Sequence, residues 1–71
     1  MHSIDDFENG DEVYHLSDRT SRFIVIEIVK EKNNIVCNYW HENEKKTVIF
    51  FPYELGKVKD LNQFYVPTIL E

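Results

Sequence analysis

Apolar positions fall in short runs broken by polar turns, and the clearest pair of runs lies between Arg22 and Trp40. Phe23-Ile24-Val25-Ile26 and Ile35-Val36-Cys37-Asn38-Tyr39-Trp40 flank Lys32-Asn33-Asn34, a pattern that predicts a β-hairpin with an asparagine turn. In the second run, Ile35, Cys37 and Tyr39 share one face, and the polar Asn38 marks Val36, Asn38 and Trp40 as the outward set. Strict alternation in the first run leaves both faces largely apolar. A bulge that switches the inward face partway resolves this, with Phe23, Val25 and Ile28 inside and Glu27 outside.

The remaining elements follow in chain order. Residues 1–9 read as an N-terminal arm with Ile4 and Phe7 as anchors, and Gly10-Asp11 supplies a turn before a first strand at Glu12-Val13-Tyr14-His15-Leu16. Ser17-Asp18-Arg19-Thr20-Ser21 contains no apolar residue and predicts a polar connection. His41 through Lys46 contains no aliphatic residue and predicts a solvated turn. Thr47-Val48-Ile49-Phe50-Phe51 then forms a fourth strand stopped by Pro52, with Val48 and Phe50 inward and Ile49 and Phe51 outward. Tyr53 to Gly56 predicts one helical turn, and Lys57-Val58 the stub of a fifth strand. The expected core is Val13, Val25, Ile28, Ile35, Cys37, Tyr39, Val48, Phe50 and Leu55.

From residue 59 onward the chain is a tail, apolar again at Leu61, Phe64, Tyr65, Val66, Ile69 and Leu70 and interrupted by Pro67, with Asp60 as a candidate cap. So apolar a tail is expected to pack, either on its own domain or on a second copy as a homodimer. Short strands at regular spacing without an ordinary amphipathic helix indicate a mainly β domain of about five strands, a small barrel or sandwich.

Gly10-Asp11-x-Val13, Phe23-x-Val25-x-x-Ile28, Ile35-x-Cys37-x-Tyr39-Trp40, and Phe50 followed by Glu54-Leu55 together resemble the YodC-like family of small uncharacterised bacterial proteins. The likeness covers about residues 10 to 58 and is most specific in the third strand. Two positions depart from it. Asp18-Arg19-Thr20-Ser21 stands where the family tends to carry Gly-Gly-Pro, and His15 stands where an inward aliphatic residue is expected. The resemblance implies a small SH3-like barrel over residues 10–58 and no particular chemistry.

Composition narrows the function classes. The 71 residues make one domain, near the lower size limit for folding without disulfides or metals, so nearly every large apolar side chain is needed inside. A net charge of -5 repels phosphate backbones, which disfavours nucleic acid as a partner. The single cysteine, Cys37, cannot form an internal disulfide and alternates with inward residues, so it reads as a buried small hydrophobe in a reducing cytoplasm. No stretch is apolar enough for a signal peptide or a membrane helix.

Catalytic chemistry is not indicated. The histidines and Cys37 show no ligand spacing, and with only two glycines the chain holds neither a nucleophile elbow nor a phosphate-cradling loop, so neither metal nor cofactor is implied. What rises above background is exposed apolar surface at Trp40, Ile49 and Phe51. These three residues are the expected binding site of a non-catalytic, protein-binding or accessory module, whose partner is an unidentified protein or a second copy of the chain. The alternative is a nucleic-acid or ribosome-associated small barrel.

Overall fold

A computed structural model describes residues 2–61, in which five antiparallel strands form one sheet. The strands are β1 (Glu12–His15), β2 (Asp18–Val29), β3 (Asn34–His41), β4 (Glu44–Phe50) and β5 (Leu55–Lys57). A single α-helical turn, α1 (Val58–Leu61), follows, and short 3₁₀ turns occupy Ile4–Asp6, Lys30–Lys32 and Pro52–Glu54. The spatial order is β4-β3-β2-β1-β5, so β4 and β5 are the two edges and the sheet is open. Among the described residues, no helix is long and apolar enough to cross a membrane.

β2 organises the sheet because it pairs with both β1 and β3, and it does so through two irregularities. Against β3, Val25 lies opposite Cys37 and Ile28 opposite Ile35. Three steps along β2 therefore match two along β3, and one extra residue is accommodated between Val25 and Glu27. This is the bulge the sequence predicts: Val25 is buried and Ile28 half-buried, while Ile24, Ile26 and Glu27 are exposed. Against β1 the mismatch is larger, since Val13 faces Phe23 but His15 faces Asp18.

The second irregularity overturns the expectation of a loop at residues 17–21. The chain reverses at Leu16 and Ser17, and Asp18 already belongs to β2. Side chains replace the ladder bonds there. Ser21 Oγ accepts from the His15 N–H at 2.9 Å and donates to the Asp18 carbonyl at 2.6 Å, while Asp18 Oδ1 receives Thr20 N–H and Oγ1. Polar residues that read as loop formers are strand residues here because their side chains satisfy the displaced backbone.

Three further boundaries are corrected. The turn predicted across residues 41–46 is confined to Glu42 and Asn43, whose φ values of 54° and 68° give the left-handed reversal that matches the twist of a tight hairpin; Glu44, Lys45 and Lys46 lie in β4. The helical turn expected at 53–56 spans Pro52–Glu54, as suits a proline at the first helical position, and β5 begins at Leu55. Asp60, expected as a cap, lies within α1, and its carboxylate meets His2 Nε2 at 3.3 Å. The packing expected of Phe64, Tyr65, Val66, Ile69 and Leu70 lies outside the described residues.

The core consists of Phe7, Val13, Val25, Ile35, Cys37 and Leu55, with Ile4, Phe23, Ile28, Val48 and Phe50 packed around it. Tyr39, expected in the core, is half-buried at its rim, where its ring meets Phe23 edge-on at 5.4 Å. Phe7 shows that the first residues are part of the core. A turn in which Asp11 Oδ2 accepts the Glu8 N–H, followed by Gly10 at φ 95°, returns the chain beside β2 and carries Phe7 inside. The Lys57 ammonium lies over its ring, with Nζ 5.5 Å from the centroid and 3.6 Å from Asp11 Oδ2.

Tyr14 is buried on the face opposite Val13, a position the sequence pattern does not reveal. Its cross-strand partner is Gly56, and a Cβ added at Gly56 would stand 2.5 Å from Tyr14 Cζ. Gly56 is therefore the floor on which the tyrosine ring rests. We expect Gly56→Ala to displace that ring and cost about 1–3 kcal/mol by urea unfolding. A variant as stable as the parent would show that the ring can move freely.

Candidate functional site

The outer face of the sheet is ordered in rows set by strand register. One row runs Glu12, Ile24, Asn38, Thr47 across β1 to β4, and Thr47 Oγ1 donates to Asn38 Oδ1 at 3.1 Å. The adjoining row contains Trp40 opposite Lys45. Between these rows lies an open cleft of about 380 Å³ lined by Glu12, Arg22, Ile24, Asn38, Tyr39, Trp40 and Lys45. Its wall is apolar: Trp40 is 70% exposed and Ile24 43%. Its rim is charged, with Arg22 and Lys45 against Glu12. Arg22 is steadied by Nη1 donating to the carbonyls of Arg19 and Ser21, both at 2.7 Å.

The three residues expected to form one patch are all exposed, but register separates them. Ile49 lies opposite Val36, in a row also containing Glu27. The polar Asn38–Thr47 pair stands between that row and Trp40, and four residues along β4 from Lys45 to Ile49 span ~14 Å. Phe51 lies past the end of β4 and stacks on Tyr53, with centroids 5.5 Å apart and planes at 9°. Trp40 is thus joined by Ile24 and the charged rim, and neither Ile49 nor Phe51 lines its cleft. The bulged register already puts Ile24 outward, but only the pairing of Ile24 with Asn38 shows that it neighbours the tryptophan.

A second cluster of chemistry-bearing groups joins the β1–β2 turn to the 3₁₀ turn before β5. His15 Nδ1 accepts the Ser17 N–H at 3.1 Å and lies 2.7 Å from Ser17 Oγ, while Nε2 faces Glu54 Oε1 at 3.2 Å. A neutral imidazole protonated at Nε2 satisfies all of these contacts. The ring also packs on Phe50, with ring centroids 5.3 Å apart. Glu54 completes the connection: its backbone carbonyl accepts from Leu16 N–H at 2.9 Å, and its Oε2 accepts from Phe51 N–H at 2.8 Å.

The Phe51 N–H is the largest cause holding the Glu54 carboxyl below its usual range, with the hydrogen bond from His15 adding to it. A depressed folded-state pKa contributes stability above the ordinary glutamate value, and this is lost as pH falls through that value toward the folded one. We expect Glu54→Gln to destabilise the domain at neutral pH, with the difference from the parent closing on the acid side of the ordinary glutamate range in pH-dependent urea unfolding. A difference constant with pH would assign the effect to shape alone.

Cys37 is fully buried between the core residues, and desolvation pushes its thiol up to about 11. It is a packing residue, paired across strands with Val25 and Val48. Alkylation by iodoacetamide at neutral pH should therefore be negligible in the folded chain and complete in urea. Fast labelling of the folded protein would contradict that placement. Among the described residues, no group of three or more His, Cys, Asp or Glu side chains is arranged to hold a metal ion.

Comparison with known proteins adds no relative: no family model, no curated protein and no solved structure matches the chain.

Proposed function

We propose that this protein is a non-catalytic protein-binding or accessory module that engages its partner through the cleft at Trp40. The observation that carries this reading is the 70% exposure of the tryptophan beside Ile24 in a concave site. Leaving so large an aromatic surface in water is unfavourable, and burial of a Trp anchor typically dominates an interface. Asn38, whose Oδ1 already accepts from Thr47, keeps its amide N–H groups for a partner's carbonyl.

The finer architecture belongs to the same proposal. A four-stranded meander, β1 to β4, with β5 returning beside β1 after a 3₁₀ turn, around a bulged central strand, supports an SH3-like barrel with an open seam. The resemblance of residues 10–58 to the YodC-like family points the same way. Fold likeness leaves the partner undetermined, because function resides in the cleft. The buried thiol of Cys37 is consistent with a cytoplasmic location.

One observation favours the alternative of a nucleic-acid or ribosome-associated barrel. Arg22 and Lys45 flank an exposed aromatic ring, the combination by which single strands are held through stacking and charge. The net charge of -5 and the neighbouring Glu12 oppose it. In a pull-down with the full chain, we expect a protein partner whose binding is weakened by roughly 2 kcal/mol or more in Trp40→Ala. Binding of RNA or DNA that weakens steeply with salt, with no protein recovered, would overturn this reading in favour of the alternative.

A further inference from the structure

We propose that the free edge of β4 is a self-association surface, pairing antiparallel with β4 of a second copy about a two-fold axis at Ile49. The two edges of the sheet differ. β5 is three residues long and runs directly into α1, whereas β4 extends over seven residues with β3 on one side only. Among the described residues, nothing pairs with its other side, so its outward-pointing backbone groups form a template for another strand.

The edge is guarded over only half its length. Glu44, Lys45 and Lys46 carry charge, with Lys46 Nζ 3.2 Å from Glu44 Oε1, the kind of residues that keep edges apart. Thr47 to Phe51 carry none. On the outer face Ile49 is 57% exposed and Phe51 43%; on the inner face Val48 and Phe50 are only partly buried. Both faces of this segment are thus incompletely covered. An added strand covers both at once, because its own side chains alternate.

Self-complementarity selects a second copy as the occupant and fixes the register. A two-fold at Ile49 sets Ile49 against Ile49 of the partner subunit and Val48 against Phe50 of the partner subunit, with Thr47 beside the ring of Phe51 of the partner subunit at each end. Pairing ends at Phe51, whose N–H and carbonyl are already engaged by Glu54, and Lys46 falls beyond the paired segment. Shifting the axis to Thr47 or Val48 would set Lys46 against Val48 or Phe50 of the partner subunit, a charge against an apolar side chain. The Ile49 axis keeps the lysines out of the apolar segment.

Sedimentation of the full chain should show twice the chain mass at high concentration. Ile49→Lys should restore the single-chain mass without altering the circular dichroism spectrum, because the side chain is largely exposed in the single chain. Antiparallel neighbours lie about 4.5–5.5 Å apart at Cα, within disulfide reach. Under mild oxidation Ile49→Cys should therefore cross-link two chains, and Lys45→Cys should not. Trp40→Ala should leave the dimer intact, which separates this surface from the proposed partner cleft. The proposal is overturned by a chain that stays single at every concentration, including one whose edge takes a strand from another protein. It is equally overturned by a dimer that survives Ile49→Lys, that cross-links through position 45 but not 49, or that is lost in Trp40→Ala.

Discussion

Everything in this domain depends on β2 changing the face it presents to the core. A strand's side chains alternate with a period of two, so Phe23 and Val25 cannot share the inside with Ile28 unless one residue is added between them. The extra residue at the bulge lets Val25 meet Cys37 and Ile28 meet Ile35, two core pairs an unbulged strand could not make together. It also keeps Glu27 in water and leaves Ile24 and Ile26 outside. The same phase change that completes the core therefore creates the apolar wall of the Trp40 cleft.

A core built from so few residues needs closure at its ends, and polar groups provide much of it. At one end Phe7 enters beneath the Lys57 ammonium, and His2 lies edge-on against Phe7 while meeting Asp6 and Asp60. At the other, His15 rests on Phe50 and hydrogen-bonds to Glu54, whose carboxylate also caps the turn that starts β5. These contacts are local or lie near the surface, where individual ion pairs contribute little. Their significance is geometric, since they fix how the turns join strands already placed by apolar burial.

The outer face is divided by the Asn38–Thr47 pair. Hydrogen-bonded side chains between Trp40 and Ile49 interrupt what would otherwise be one hydrophobic stripe, leaving a tryptophan cleft with a charged rim on one side and an apolar edge segment on the other. Two smaller surfaces of different character follow. One is concave with mixed polarity; the other is a strand edge whose main chain is available for pairing.

Alternation and turn chemistry in the sequence alone determined much of the local structure: the β2–β3 hairpin, the bulge near Ile26, the inward set of β3, and the outward exposure of Trp40, Ile49 and Phe51. Each rests on periodicity within one run of residues, where steric alternation leaves little freedom. What only the tertiary structure decided involves registers between strands and the fate of displaced backbone groups. Asp18 to Ser21 read as loop because their composition is polar, yet Ser21 and Asp18 replace the missing ladder bonds and hold the segment in β2. Phe7, expected only as an anchor of the arm, and Tyr14, absent from the expected core, are buried because of a chain return at Gly10 and a glycine opposite in β5. The grouping of Trp40 with Ile24, Arg22 and Lys45, and its separation from Ile49, follow from cross-strand partners that no single stretch encodes, because register is fixed by the combined burial of all five strands.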